Sequence, residues 1–552
     1  MKNFDNKPNP ATVEVVRNAF ISGAEQMRRN LYRSSFSPVI YEMKDCSVGI
    51  FNAEGDLLGQ APGLPFFLGS LGGTIRAVIA QKNVDIFHAD DIWIVNDSTI
   101  CGSHLNDITV FAPIFVRNKL RGFAGAKAHC NDVGAKDPGY VGDTTDIFQE
   151  GLRIGPTRIV DSGKMDKQIM DLIALNSRFP IAIVGDLMAE FTACRTGVEC
   201  FKSIVDRYGW TQVSMSIDEF FRQAEELDRE SVRLIPNGEY SSEGSLDNDG
   251  VTTEPVNVKV TVRIKNDEME VDLTGSSSQC TGSVNSGLVQ TRSAIEQAYK
   301  FLVNPSIAVS GGNFRNLRTI VPKGTCFNPN ETAPCLHYGP HLMLAMDLII
   351  RALSSAIPDR TAAGHVGDSW NVTLVGEDEN GLFLSGESLV GGWGAYQGGD
   401  GESALIHSAA GDFKNFPIET QEQRYPLRIL KYGLREGSGG IGNWVGGMGI
   451  IKEYEVLAPC RLQLWFERVG TPSWGLFGGR DGAPPDVSVT IPGKKPKKIY
   501  KVNAMPIPAG TKILVKTGGG GGILTKLIRP EEKKCVTAPE ALRAKLRCLT
   551  DR

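Results

Sequence analysis

The sequence predicts a mixed α/β protein of the α+β kind, built as several domains, and three observations carry that expectation. Apolar residues recur at helical spacing through 9–35 and again through 216–235. Alternating strand-like runs bounded by turn residues fill 91–129 and return after residue 236. Beyond residue 365 the chain is β- and glycine-rich, and much of its complement of 62 glycines is gathered in a few runs. A chain of 552 residues exceeds what one hydrophobic core supports. The change of character at 236 sets the first boundary, giving an N-terminal α/β domain over 1–235, a β-rich middle domain over 236–335 and a glycine-rich α+β domain over 336–552.

The elements follow in order. Val13, Val16, Ala19, Phe20, Ala24, Met27 and Leu31 form the apolar stripe of an opening helix. YEMKDCSVGIFNAEGDLL alternates and breaks at Ala53–Gly55, the signature of a hairpin. Residues 68–90 read as helix, and DIWIVND (91–97) as a buried strand ending in turn chemistry. ITVFAPIF and RGFAGAKAH follow as strands joined by the polar turn Arg117–Lys119. Residues 165–208 are helix-rich, with start signals at Asp171 and Gly185–Asp186, and 216–235 is a strongly amphipathic helix. An antiparallel β region after 236, helices near 290–303 and 341–357, and a short closing helix at PEALRAKLRCL complete the expectation.

Composition excludes several classes. A net charge of −4 supplies no basic field for nucleic acid, and the single basic cluster, Lys494–Lys498, is a short solvated turn. No window holds the roughly eighteen apolar residues of a membrane span, and MKNFDNKPNP has no apolar signal core, so the expectation is a cytoplasmic protein with neither membrane nor nucleic-acid partners. The 11 cysteines are scattered without CxxC spacing and read as reduced, buried thiols, Cys101 and Cys130 included. Three glycine-rich stretches stand out, at 391–401, 437–449 and Gly518–Gly522. None has the spacing of a phosphate-binding loop, and no βαβ unit with its acidic residue accompanies the near-match GIGNWVGG to a dinucleotide fingerprint.

The segment Asn96–Asp132 is the most informative. In a chain with 7 histidines, it places His104 three residues before Asp107 and His129 just after an apolar run, each at or just past a strand end. Two imidazoles and a carboxylate suit a divalent ion such as Zn²⁺ or Mn²⁺ rather than a thiolate centre. The competing reading is a turn histidine beside an Asp cap. Asp132 reads as a ligand, as a partner that orients His129, or as a turn residue, the second being preferred. Asp97 reads as a turn former. Gln149 and Glu150 read as proton carriers or an ordinary polar turn, and Asp247 and Asp249 as a turn, because the downstream Glu of a calcium loop is missing. Among His337, His341 and His365, core histidines are the default, with one allowed to line a pocket.

The ordered motifs SPVIYEMKDCSVGIFNAEGDLL, NDSTICGSHLNDITVFAPIF, AKAHCNDVG, DIFQEGLRI, GDLMAEFTAC, DNDGV, VDLTGSSSQCTGSVN, GGWGA, NFPIETQEQRYPL and GSGGIGNWVGGMG span nearly the whole chain. Together they resemble the hydantoinase B/oxoprolinase family, the second subunits of ATP-dependent hydantoinases, oxoprolinases and lactamases, with acetone and acetophenone carboxylase subunits as relatives. The resemblance implies one divalent metal, Zn or Mn, held by His104, Asp107 and His129 as catalytic ligands, with Asp45 of the EMKD stretch drawn in. It also implies a hydantoinase A-like α subunit that binds ATP with Mg, in an αβ hetero-oligomer. The expected activity is ATP-dependent hydrolysis of a small cyclic amide, a hydantoin or lactam. The alternatives are a ketone carboxylase subunit using bicarbonate, or a scaffold subunit with a structural metal. Phe67 stands where oxoprolinases have His, EMKD where they read ERxD, and Val445–Gly447 where they read RGG; these departures point away from 5-oxoproline.

Overall fold

A computed structural model describes residues 8–379 and 381–524. Helix α1 (Pro10–Ser34) opens at Asn9, whose side chain accepts the Ala11 N–H, with Pro10 in the first turn. It buries Val13, Val16, Phe20, Ala24, Met27 and Leu31, the stripe that spacing predicts. A single turn, α2 (Pro38–Tyr41), leads into the hairpin β1 (Cys46–Asn52) and β2 (Leu57–Gln60). The Asn52 side chain accepts the N–H groups of Glu54 and Asp56 and so closes its turn. Then come α3 (Pro65–Lys82), β3 (Ile92–Val95), the short α4 (Ser98–Cys101), β4 (Asp107–Val116) and β5 (Lys119–His129). Arg117 and Asn118 both take positive φ, 51° and 61°, the twist a tight hairpin demands. Strands β6 (Thr157–Asp161) and β7 (Lys164–Met165) complete a seven-stranded antiparallel sheet in the order β2-β1-β5-β4-β3-β6-β7.

Three helices follow: α5 (Lys167–Leu175), α6 (Pro180–Tyr208) and α7 (Trp210–Arg233). The strands' alternation sorts their side chains between two faces. Ile108, Val110, Ala112, Ala124, Ala126 and Ala128 pack in one core with α1 and α6, whereas Phe51, Trp93, Phe111 and Phe123 meet Leu71, Ile75 and Val78 of α3. The helix starts differ from the expected ones. Asp166, rather than Asp171, caps α5 by accepting the N–H of Gln168 and Ile169. Pro180 opens α6, leaving Gly185–Asp186 inside it. Asp186 serves another segment, accepting the N–H groups of Phe36 and Ser37 just before α2.

Strands β8 (Gly238–Leu246), β9 (Val256–Lys265) and β10 (Glu268–Asp272) are joined through α8 (Leu288–Leu302) to β11 (Leu317–Ile320), in the order β11-β10-β9-β8. Helix α9 (Gly339–Ala352) packs on β8 and β9 and shares their core with α8. The remaining chain forms two facing sheets. Strands β12 (Asn371–Asp378) and β13 (Gly381–Ser388) belong to one, α10 (Ile418–Arg424) intervenes, and β14 (Leu427–Leu434) and β15 (Ile450–Val456) belong to the other. β16 (Cys460–Trp465) returns to the first, β17 (Asp486–Thr490) and β18 (Lys497–Lys498) to the second, and β19 (Lys501–Ile507) and β20 (Lys512–Lys516) finish one each. Leu374, Leu462 and Leu464 meet Tyr454, Val487 and Val515 in the core between these sheets.

Past β20, Gly518–Gly522 threads between the other glycine-rich loops. Its backbone bonds reach Gly364, Gly392, Ala395, Gly440, Gly447, Leu476, Arg480 and Ala483. A Cβ on Gly520 or Gly521 would fall 1.9 Å from the carbonyl oxygen of Trp393 or Trp474, so only glycine fits there. The closing helix expected at 539–549 lies outside the described residues. Among the described residues no helix is long and apolar enough to cross a membrane.

Candidate metal centre

Strand pairing assembles the centre. Asp107 opens β4 and His129 closes β5, and the two stand directly opposite each other in the ladder. Cys46 of β1 pairs with Ala128, so Asp45, one residue earlier, lies beside His129 and accepts its backbone N–H at 3.1 Å. By the two-residue alternation, Asp45, Asp107 and His129 all belong to the sheet face that α3 covers. His104 comes from the turn after α4, where Gly102 is left-handed (φ 82°); a Cβ there would sit 2.3 Å from the backbone nitrogen of Gln290 at the start of α8.

Three atoms converge. His104 Nε2 lies 2.6 Å from Asp107 Oδ1 and 3.1 Å from His129 Nδ1, and His129 Nδ1 lies 3.1 Å from Asp107 Oδ1. All three residues are buried, and they form the one His/Cys/Asp/Glu cluster of metal-holding geometry among the described residues. The other ring nitrogen of His104 donates to the carbonyl oxygen of Leu336 at 2.9 Å, which places a proton on Nδ1 and aims Nε2 at the carboxylate. Two lone pairs at 2.6 Å repel unless positive charge lies between them. An ion bonded at about 2.0–2.2 Å keeps its ligands about 3.0–3.4 Å apart, so the trio fits one after a slight opening. Tyr338 donates its hydroxyl to the second oxygen of Asp107 at 2.9 Å, and Tyr140 stacks on His129 with ring centres 5.6 Å apart.

Electrostatics agrees with a site for a cation. Burial works to raise the Asp107 carboxyl, but positive charge and donated hydrogen bonds from the facing rings of His104 and His129 hold it well below the usual carboxylate range. Asp45 is pushed up to about 7, by burial first and by Asp107, against the pull of His129, and its Oδ1 is buried without a hydrogen-bond partner. Asp45 lines the same pocket but stands outside the three-residue cluster. A cavity of about 80 Å³ opens onto the centre, walled by Phe67, Tyr140, His337, Tyr338, Ile406 and Trp465 among others.

Other sequence-predicted residues have different work. Asp132 hydrogen-bonds the backbone and guanidinium of Arg178 and the N–H of Gly134 rather than His129, so it anchors the approach to α6. Asp97 caps α4 and pairs with Arg153. Asp249 closes its own turn through the N–H groups of Val251 and Thr252, and Asp247 accepts those of Val469 and Gly470. Of the three downstream histidines, His337 lines the pocket, stacked 3.7 Å from Trp465, with Nδ1 2.9 Å from Ser283 Oγ and Nε2 unpartnered. Burial holds it well below its ordinary pKa, as do Lys501 and His104. His341 meets Ser286, and His365 accepts the Gly394 N–H. Residue-level reading did not find Leu336, Tyr338 or Tyr140; the unusual density of CLHYGPH at 335–341 was the one available signal.

Glu150 is a clamp for that distant segment. Its carboxylate accepts the Thr144 hydroxyl at 2.8 Å and the N–H groups of Cys335 and Leu336 at 3.0 Å. It therefore holds the strand of backbone that supplies the Leu336 carbonyl to His104. Burial pushes its carboxyl up to about 7, outweighing the lowering by those donors. A carboxyl whose folded pKa is raised contributes stability below its ordinary 4.5, and that contribution is lost as pH rises toward 7. In Glu150→Gln, the side-chain oxygen keeps the three bonds while the titration disappears. The variant's stability relative to wild type is expected to rise by on the order of 1–3 kcal/mol between those pH limits, read from denaturant melts. A difference flat with pH would show the carboxyl ionised throughout.

The whole-chain comparisons agree with this architecture. An uncharacterized protein of Methanocaldococcus jannaschii, MJ0963, is 32% identical over 93% of this chain and 90% of its own length. A putative D-/L-hydantoinase subunit from Pseudomonas sp. (strain NS671) is 28% identical over 96% of this chain and 92% of its own. The crystal structure of an ATP-dependent caprolactamase from Pseudomonas jessenii superposes with a TM-score of 0.88 at 26% identity, over 98% of this chain and 94% of that one. The family model for hydantoinase B/oxoprolinase matches residues 9–523, from the first helix to the end of the glycine run, so this chain belongs to the hydantoinase B/oxoprolinase family.

Proposed function

We propose that this chain is the metal-bearing subunit of an ATP-dependent enzyme that opens an uncharged cyclic amide, a lactam or hydantoin. The observation that carries the choice of substrate is the pocket's lining. Beside the metal centre stand carboxylates, imidazoles, phenols and apolar groups, and no Lys or Arg among the described lining residues. Lys127, buried two residues before His129, is taken by Ser70 Oγ and Gln290 Oε1 and lies over the Phe67 ring. A ring bearing its own carboxylate, such as 5-oxoproline, would enter with no side-chain counter-charge, whereas a neutral ring carries no such cost. Phe67, where oxoprolinases have His, is part of that apolar wall.

His104 Nε2, His129 Nδ1 and Asp107 Oδ1 would hold the divalent ion, with the unpartnered Asp45 oxygen completing the set. When bound, such an ion polarises an oxygen or lowers the pKa of water. The Leu336 carbonyl keeps His104 in the binding tautomer, and Tyr338 occupies the second Asp107 oxygen so that one remains for the cluster. His337, held neutral by burial and stacked on Trp465, forms part of the pocket wall. Phe67, Ile406 and Trp465 exclude bulk water. The sequence has no phosphate-binding loop, and similar proteins are named as subunits of a hydantoinase and of a caprolactamase, which supports a separate partner chain that binds ATP.

The test is turnover of the chain with its partner subunit, ATP and metal, on hydantoin, caprolactam and 5-oxoproline. Neutral rings are expected to exceed 5-oxoproline in kcat/KM by roughly a hundredfold or more. Preference for 5-oxoproline would overturn the substrate assignment. A ketone-derived product one carbon heavier, formed only with bicarbonate, would replace hydrolysis by carboxylation.

A further inference from the structure

A second cavity, of about 840 Å³, adjoins the metal pocket, and Ile406 and Phe413 line both. Its size is that of a small-molecule site. The β1–β2 hairpin, α3, α8 and the loops around 305–315 and 390–415 bound it. Leu57, Leu68, Phe301, Phe314 and Trp393 give it apolar walls, and α8 adds the carboxylate of Glu296.

The other charges around the cavity are answered. Arg76 pairs with Asp56 and the Gly55 carbonyl, Arg315 with Glu225 and the Gly311 carbonyl, and Lys414 with Asp412. Lys300 feels the charge of Asp228, and its Nζ, like Gln297 Oε1, is sealed inside the wall, out of a ligand's reach. Gln60 and Asn415 add neutral amides. Glu296 differs from all of these. Among the described residues its carboxylate has neither a hydrogen bond nor an ion pair, and both of its oxygens keep accessible surface. Arg76 and Arg292 act on it only at a distance, so burial prevails and pushes its carboxyl up to about 7. The cavity therefore carries one surplus negative charge, on an accessible group with apolar neighbours, and a charge so placed without a partner is costly.

We propose that this cavity is a second binding site, separate from the metal pocket and independent of the reaction there, for a small apolar molecule bearing one protonated amine. The ammonium donates to the Glu296 carboxylate, and the apolar body lies against Phe301, Phe314 and Trp393. An acid of the same size would bring a like charge to Glu296, and an alcohol would leave the carboxylate's charge unbalanced. A divalent ion would find one free carboxylate among the described lining residues, where such ions gather several oxygen ligands.

Saturation-transfer NMR titrations of the full chain test it, with phenylbutylamine, phenylbutyrate and phenylbutanol as probes, one skeleton with three end groups. At about pH 8 the Glu296 carboxyl is mostly ionised. There the amine is expected to bind at least about tenfold more tightly than the acid or the alcohol. Glu296→Gln keeps the side chain's shape and removes its charge. It is expected to weaken the amine about tenfold, to the level of the alcohol, and to leave the alcohol's affinity unchanged. Leu405→Trp adds bulk to the wall without touching the carboxylate, and is expected to weaken all three probes about tenfold or more. Neither residue lines the metal pocket, so both variants are expected to keep wild-type metal content and thermal unfolding. No binding of the amine, equal binding of amine and alcohol, preference for the acid, or an amine affinity indifferent to either variant would overturn the proposal.

Discussion

Replacing His104 and His129 together by alanine is expected to take metal content from about one ion per chain to none, and ATP-dependent turnover with it. Loss of a single supporting hydrogen bond around a metal costs roughly 10–100-fold in affinity. Here two of three converging donor atoms go at once, and Asp107 alone remains of the cluster. Elemental analysis of wild type and variant, prepared identically, reads the effect, with circular dichroism as the check on folding. Because the imidazoles hold the Asp107 carboxyl low, their removal lets burial raise it, and the variant is expected to fold with a neutral Asp107. A wild type that refuses metal, or a variant that keeps it, would remove the basis of the mechanism.

Glu387→Ala is expected to be the most damaging single change for stability, at about 3–5 kcal/mol. Lys452 is fully buried and meets both Glu387 oxygens, at 2.6 and 2.7 Å. Tyr454 donates its hydroxyl to the same carboxylate at 2.7 Å, and Gln421 contributes an amide N–H. Removing the carboxylate strands an ammonium between the two C-terminal sheets, with only the Gln421 side-chain oxygen left to accept from it. Removing both charges avoids that, so Glu387→Leu combined with Lys452→Met is expected to recover most of the loss. Guanidinium melts of the three variants make the comparison; a single variant within about 1 kcal/mol of wild type would show the pair to be dispensable. Glu387 also lines a small pocket with Asp45, His104 and His129, so the single variant is expected to perturb the metal centre as well.

What the residues disclosed directly was local. The α1 stripe, the β4–β5 hairpin and the His104–Asp107 pair are written in neighbouring positions, through periodicity, turn chemistry and spacing. Asp45 was reached through family resemblance, because it joins the centre only by the pairing of β1 with β5 across some eighty residues. Leu336 and Tyr338, and the clamping role of Glu150, were hidden for the same reason: their contacts span about 186 to 232 positions. Asp171 and Asp186 misled because an acidic residue before an apolar run resembles a cap whichever segment it serves. Asp132 sat near enough to His129 in sequence to suggest contact, yet Arg178 claims it.

The glycine thread at 518–522 has a consequence for how the molecule is made. The loops at 391–401, 437–449 and 473–483 draw backbone partners from it, so during synthesis they wait with unpaired amides until the ribosome has delivered residues as many as a hundred or more positions later. The N-terminal sheet, whose pairings are mostly between near neighbours, can be complete long before. The C-terminal half therefore closes last and as a unit, in the manner of a zip, and a nascent chain stalled just short of the thread is expected to expose an aggregation-prone sandwich beside a finished N-terminal sheet.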